Sequence, residues 1–214
     1  MRKREKAAKS YFKNVIIALI LTTLLFVGVF FFGYSVSYYK QQQIAQTQNE
    51  MKYSILSLQV ELEILGDKCE NFNPYEFSEQ VDNLGNSIMA LEQRLGSFNP
   101  GVLEEKKMYS ILEAQHFLYI SKHNDKCANK VPVILFFYSN SEAYKDRAEK
   151  IGFMLDSLKN QEEVMIYSFD YDLDSSLINV LKRSYNINSP NTLVVNRTIL
   201  MKDVSNIEDI RAKL

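Results

Sequence analysis

The sequence predicts an N-terminal transmembrane helix, a coiled-coil-like helical stalk, and a C-terminal α/β domain with the element order β-α-β-α-β-β-α. Three observations indicate this division. A long segment near the N-terminus carries no charge, the next repeats apolar residues at spacings of four and three, and the last alternates apolar runs with helical periodicity. The predicted boundaries are a basic tail at 1–13, a transmembrane helix at 14–39, a three-helix stalk at 40–127 and the α/β domain at 131–214.

The uncharged segment is long enough, at 1.5 Å per residue, to cross a hydrocarbon core of about 30 Å. Six basic residues and one acidic residue precede it and give a local charge of +5. Because the net charge of the whole chain is −1, the rest of the chain carries −6. The positive-inside rule then places the N-terminus in the cytoplasm and the C-terminal domain outside a cell membrane crossed once. The alternative is a secretory signal cleaved after Ser37, but an apolar run of about 19 residues exceeds the usual signal core. The remaining acidic charge excludes nucleic acid as a partner.

The stalk is predicted from three apolar stripes. The first runs through Ile44, Met51, Ile55, Leu58, Leu62 and Leu65, and Gly66 ends that helix with a left-handed cap. The Asn-Pro pairs at 73–74 and 99–100 are predicted to cap and start the second and third helices. Such stripes pack within one chain or join two chains in a homodimer. The presence of three apolar faces favours packing within the chain.

The α/β domain is predicted from four apolar runs, "VPVILFFYS", "VMIYSFDYD", "NTLVVN" and "TILMK", which read as strands around a mostly parallel centre. Helical spacing of apolar residues separates the first two runs and follows the second. Ser205 and Glu208 form a predicted capping box that opens a last helix at 207–214.

These residues resemble a known family. The element order is that of the thioredoxin core, and "YNINSPNTLVVN" resembles the stretch in which a thioredoxin presents its cis-proline. Across residues 10–214 the chain looks like the membrane-anchored, thioredoxin-like proteins common in archaea. The resemblance implies a Cys-x-x-Cys motif at the start of the first α/β helix, where the helix N-terminus lowers the pKa of one thiol.

That motif is missing. The equivalent of the motif is 142–145 or, with a shifted register, 144–147, and no cysteine occurs between 128 and 214. The degenerate active-site window comprises Ser139, Ser141, Glu142 and Lys145. Ser139 and Glu142 instead form a predicted capping box for the helix. A serine nucleophile is disfavoured because it needs a base, and the only histidines, His116 and His123, lie in the predicted stalk.

The proline loop also departs from the family pattern. The chain reads Ser189, Pro190, Asn191 and Thr192, so that an ungapped match places Asn191 where the family has proline. Either Asn191 follows a trans bond and the loop is reshaped, or the Ser189–Pro190 bond is cis.

Cys69 and Cys127 are the two cysteines of the chain. An oxidising location and an even count favour a structural disulfide; a redox-labile pair and two free thiols are the alternatives. No metal or cofactor is expected. Asp170, Asp172 and Asp174 alternate like the start of a calcium loop, but the pattern lacks its glycine and its bidentate glutamate.

The sequence therefore predicts a membrane-anchored, extracytoplasmic, redox-inactive thioredoxin-like protein that binds another protein or peptide. One alternative is a thiol-disulfide oxidoreductase that uses Cys69 and Cys127. Another is a coiled-coil membrane scaffold that dimerises through the stalk.

Overall fold

The computed structural model describes residues 2–65, 69, 73–75 and 77–214, without the side chains of 2–12, 40, 43, 44, 62, 63 and 65. The helices are α1 (Arg2–Leu65), α2 (Ser78–Leu95), α3 (Pro100–Lys126), α4 (Lys145–Lys159), α5 (Ser176–Ser184) and α6 (Ile207–Arg211). The strands are β1 (Val133–Tyr138), β2 (Met165–Asp170), β3 (Thr192–Val195) and β4 (Ile199–Met201). Two compact units result, Met1–Ala45 and Gln46–Leu214.

The first unit contains a helical segment that is long and apolar enough to cross a membrane. It covers Lys13–Tyr39 with a mean hydropathy of 2.9, and none of it is buried. The hydroxyls of Thr22 and Thr23 donate to the carbonyls of Ala18 and Leu19 at 2.8 and 2.9 Å, so these polar groups are satisfied within the helix. The prediction of a long apolar helix near the N-terminus is confirmed.

In the second unit, the C-terminal part of α1 packs against α2 and α3. One core joins Met51 and Leu58 of α1, four residues at or beside α2, and Leu112 of α3; the four are Phe77, Val81, Leu84 and Ile88. Of the described members of the predicted α1 stripe, Met51 and Leu58 are buried within the chain and Ile55 is partly buried. The side chains of Ile44, Leu62 and Leu65, and the predicted cap at Gly66, lie outside the described residues.

The opposite face of α1 in this unit is also apolar. Tyr53, Leu56, Val60 and Ile64 are exposed by 72, 63, 55 and 75 %. At 100° per residue these four positions lie opposite Met51 on the helix circumference. We call this set the outer α1 stripe; the described part of the chain leaves it uncovered.

Two predicted helix starts differ in the structure. Helix α2 begins at Ser78, four residues after Pro74, because the Asn73 side chain accepts from the Tyr75 N–H and closes a separate turn. The N-cap of α6 is Asn206, whose side chain accepts from the Glu208 N–H at 3.1 Å, so the capping box at Ser205 was wrong. Asn99 does cap α3, accepting from the Gly101 N–H at 2.9 Å.

The four strands form one mixed sheet in the order β2-β1-β3-β4. Strands β1 and β2 are parallel, whereas β3 is antiparallel to both β1 and β4. The predicted element order is confirmed, but the expectation of a mostly parallel centre was wrong. The direct β3–β4 hairpin reverses the chain over three residues, and so it imposes antiparallel pairing.

Helices cover both faces of the sheet. On one face, Phe117 and Ile120 of α3 join residues of α5 around Leu135, Phe137 and Tyr167. On the other, α4 and α6 cover the side chains of Ile134 and Phe136. Helix α3 thus contributes to the stalk core and to the sheet core, although the sequence pattern changes only after it ends.

A disulfide joins Cys69 to Cys127 with a Cα–Cα distance of 5.6 Å. It ties the segment before α2 to the residue that caps the C-terminus of α3. The predicted pairing of the two cysteines is confirmed.

We expect the double variant C69A/C127A to lower the free energy of unfolding by about 4 kcal/mol, because the bridge closes a loop with a sequence separation of 58. Urea unfolding of the full chain in detergent measures the change. The control is S184A, which alters an exposed residue of α5. Equal unfolding midpoints for C69A/C127A and the wild type would contradict a stabilising role for the bridge.

Candidate functional site

The polar residues singled out in the α/β domain meet at the carboxyl edge of the sheet, where β1 and β2 end and β3 begins. Tyr138 and Asp170 end the two parallel strands and are register partners, and Phe137 pairs with Thr192 at the start of β3. The loops that follow β1 and β2 therefore lie beside the loop that precedes β3. Such carboxyl edges are a common location of binding sites in α/β proteins.

Ser139 lies at the centre of this edge and is fully buried. Its hydroxyl donates to Asp172 Oδ2 at 2.5 Å and accepts from the Ser141 N–H at 3.1 Å. The Ser141 hydroxyl lies 2.7 Å away and must donate, because the single Ser139 proton is already used. The Ser139 hydroxyl, just before the positions where the resemblance implies the thiols, is thus enclosed in a satisfied network.

This network also corrects the predicted capping box. Helix α4 begins at Lys145, and its N-cap, Tyr144, makes no side-chain cap hydrogen bond. A turn closed by the Ser141 carbonyl separates Ser139 from the helix. Glu142 and Lys145, the other members of the window, are exposed.

The proline loop is reshaped. The described part of the chain contains no cis peptide bond, so Asn191 follows a trans bond and adopts a φ of 58°. Asparagine tolerates this left-handed conformation better than most residues. Its N–H donates to the Phe137 carbonyl at 2.6 Å, and its side-chain amide donates to the Tyr144 carbonyl at 2.9 Å. Ser189 and Pro190 are half-buried beside it.

A buried ion cluster at the same edge was not predicted. Lys106 of α3, which is 4 % exposed, forms ion pairs with Asp170 and with Glu92 of α2, the latter at 2.8 Å. The second Asp170 oxygen accepts from the Asp172 N–H at 2.9 Å, and Asn140 donates to Glu92 at 3.2 Å. The cluster therefore connects α2 and α3 to the ends of β1 and β2.

Glu113 lies seven residues, or about two turns, after Lys106 on α3 and is another buried titratable residue that sequence reasoning missed. It is 2 % exposed, and its Oε1 accepts from the Ser168 N–H at 2.9 Å. Its Oε2 is buried without a hydrogen-bond partner among the described residues. Burial raises the pKa of Glu113 well above its ordinary value, an effect that the nearby Asp82 strengthens.

The Ser168 N–H belongs to the open edge of β2. The N–H groups of Met165 and Tyr171 donate toward β1, at 2.9 and 2.7 Å. Because backbone groups alternate along a strand, Ile166, Ser168 and Asp170 direct theirs away from the sheet. Glu113 therefore satisfies one of the outward N–H groups of an edge strand.

A cavity of about 780 Å³ lies between α2, α3, this edge of β2 and the C-terminal end of α4. Ion pairs close both ends of its α2 wall: Asp82 with Lys159 at 2.5 Å, and Glu92 with Lys106. Asp82 and Glu92 are ten positions apart, which corresponds to roughly 15 Å of helix. The cavity has the size of a typical ligand site and contacts the ion cluster.

The histidines do not supply a base to Ser139. Burial lowers the pKa of His116 to about 4, so the ring is neutral at physiological pH. Its Nδ1 lies 3.1 Å from the hydroxyl of Tyr167, and His123 Nε2 lies 2.8 Å from the carbonyl of Asn129. The Ser139 proton faces the Asp172 carboxylate, which orients the hydroxyl as part of the fold.

Within the described ranges, no group of three or more His, Cys, Asp or Glu side chains is arranged to hold a metal ion. Comparisons with protein-family models, with curated proteins and with solved structures find no match to this chain.

The raised pKa of Glu113 predicts a pH-dependent stability difference between the wild type and E113Q. Above pH 4.5 the unfolded state releases a proton that the folded state retains, so the wild type loses stability as pH rises toward the folded-state pKa. The glutamine keeps a carbonyl for the Ser168 N–H but does not titrate. As pH rises, we expect the free energy of unfolding of the wild type to fall relative to that of E113Q by up to about 1.4 kcal/mol per pH unit.

Urea unfolding of both full-length proteins between pH about 5 and about 8 measures this difference. The control is E104Q on the same helix, whose carboxylate is exposed and pairs with Lys107. A difference between E113Q and the wild type that stays constant with pH would show that Glu113 titrates normally.

Proposed function

We propose that this chain is a membrane-anchored, extracytoplasmic protein of the thioredoxin-like type that binds a protein or peptide and performs no thiol chemistry. The element order β-α-β-α-β-β-α supports the fold assignment. The parallel β1–β2 pair, with an antiparallel β3–β4 hairpin added beside β1, is the arrangement expected of a thioredoxin core. The apolar Lys13–Tyr39 segment and the basic residues before it support the anchor and its orientation.

The environment of Ser139 is the observation that carries the proposal. A redox site needs an accessible thiolate at the helix start, whereas here a hydroxyl is fully buried and bonded to Asp172 and Ser141. The loop after β1 lies where the resemblance implies an active site, and the Ser139 hydrogen bond to Asp172 joins it to the loop after β2. Without the cysteine thiols, a thioredoxin-like domain can still bind a protein or peptide.

The cysteines support the same conclusion. Both are paired with each other, and Cys127 is buried at the end of α3. The bridge lies in the connection between helices rather than at the carboxyl edge of the sheet. A disulfide in that position constrains the fold.

The experiment is a dithiol-driven reduction assay on the full chain in detergent. We expect no acceleration of peptide-disulfide reduction over the uncatalysed rate. We also expect the Cys69–Cys127 bridge to resist graded reduction until the protein unfolds. The double variant C69A/C127A is the matched control, because any catalysis by the bridge must disappear in it.

One observation favours the oxidoreductase alternative: Cys69 is exposed, so one sulfur of the bridge is accessible to a partner thiolate. In that case the bridge would open in the folded protein at mild potential and close again on dilution of the dithiol. The same assay would then show catalysis in the wild type and none in C69A/C127A.

The outer α1 stripe favours the scaffold alternative, in which two copies join through α1. The expected result is that L56Q/V60Q lowers the mass of the full chain in detergent from dimer to monomer, because it removes two apolar contacts from each helix. Light scattering after size exclusion measures this mass. The matched control is Q59A, which alters another exposed α1 position. Equal masses for wild type and L56Q/V60Q would remove the scaffold function.

A further inference from the structure

We propose that the cavity between α2, α3 and the open edge of β2 binds the lysine or arginine side chain of an extended polypeptide segment. This inference deepens the proposed binding function and rests on it. It assigns the recognition site to the open edge of β2 instead of the loops that contain Ser139 and Asn191.

The charge of the cavity favours a cationic ligand. Five carboxyl groups line it against two lysines. Both lysines are already paired, Lys159 with Asp82 and Lys106 with Glu92 and Asp170. An ammonium or guanidinium group entering between the two ion pairs would meet a net negative surface, whereas a carboxylate or phosphate would be repelled.

Glu113 supplies the specific contact. Its side chain is nearly fully buried and lines the cavity, and its Oε2 has no hydrogen-bond partner among the described residues. Buried carboxyl oxygens are normally bonded. A lysine or arginine N–H donor placed against Oε2 would satisfy this oxygen and form a charge-assisted hydrogen bond.

The backbone of β2 explains why the cation should belong to a polypeptide. Ile166, Ser168 and Asp170 line the cavity, and their backbone groups point out of the sheet. Glu113 accepts the N–H of Ser168, while the carbonyl of Ser168 faces outward on the same side. An extended segment lying along β2 can bond such groups while one side chain enters the cavity.

Binding of a cation should release a proton from Glu113, since burial favours its neutral form and a bound ammonium favours the carboxylate. The charged and titratable groups that face Glu113 come from three helices and two strands. They are Asp82 of α2, Tyr109 of α3, Lys159 of α4, and Tyr138 and Tyr167 of the sheet. Asp82 and Lys159 neutralise each other in an ion pair, and burial raises the pKa of all three tyrosines, so Glu113 is the group expected to titrate.

The test uses the full chain in detergent and two synthetic pentapeptides, acetyl-Gly-Val-Lys-Val-Gly-amide and its norleucine counterpart, which lacks the ammonium group. Calorimetric titration at pH about 7.5 should show about tenfold tighter binding of the lysine peptide. E113Q should remove this preference, so that the lysine and norleucine peptides bind with equal affinity. E104Q, with its exposed carboxylate, should behave as wild type.

Lowering the pH to about 5.5 should weaken lysine peptide binding in the wild type and leave it unaltered in E113Q. Equal binding of the two peptides, or a lysine preference that survives in E113Q, would overturn the cavity assignment. So would n-butylamine binding as tightly as the lysine peptide, because it would show that the segment backbone contributes nothing.

A library of immobilised random heptapeptides separates failure of this inference from failure of the proposed function. Bound peptides enriched in lysine or arginine, with the enrichment lost in E113Q, support the cavity. Bound peptides without that enrichment overturn the cavity and leave the binding function in place. A library with no bound peptide overturns both.

Discussion

The open edge of β2 is the constraint around which the rest of the molecule is arranged. An edge strand presents outward N–H and C=O groups, and leaving a buried donor unbonded costs about 1–3 kcal/mol. An apolar helix packed against such an edge would leave these groups unsatisfied. Helix α3 instead places Glu113 against the Ser168 N–H and Lys106 against Asp170 at the strand end. Lys106 and Glu113 on one face of α3 therefore match polar groups of this strand, and the rest of the strand edge stays open to the cavity.

Helix α2 is positioned by the same polar groups. Glu92 shares Lys106 with Asp170, and Asp82 reaches Lys159 of α4. Removing one partner of a buried ion pair leaves an uncompensated charge, which is why such clusters define a single packing arrangement even when their net stabilisation is small. Apolar contacts with Met51 and Leu112 then determine how closely α2 approaches the other helices. Gly85 marks the tightest point, because a Cβ there would lie 2.6 Å from the Tyr109 hydroxyl.

Local and periodic features were accessible to sequence reasoning, and contacts distant in sequence were not. The strand order along the chain and the Asn99 cap each follow from neighbouring residues, and both were predicted correctly. Ser139 fits the local rule for a capping box, but its partner Asp172 lies 33 residues away. Lys106 and Glu113 were not singled out from the sequence, because charged residues in helices usually face water. Their spacing of seven residues was the one available signal that both share a face of α3.

The position of α3 in two cores has a consequence for how the polypeptide can be divided. Its Leu112 belongs to the stalk core, and its Phe117 and Ile120 cover the sheet. A fragment starting at β1 would lose a covering helix and expose the apolar face around Leu135 and Tyr167. The smallest part able to fold cooperatively therefore includes the helices that precede the α/β pattern. The strand pattern identifies only the part of the chain from β1 onward. The module that must be inherited or transplanted as one piece also includes the helices before it.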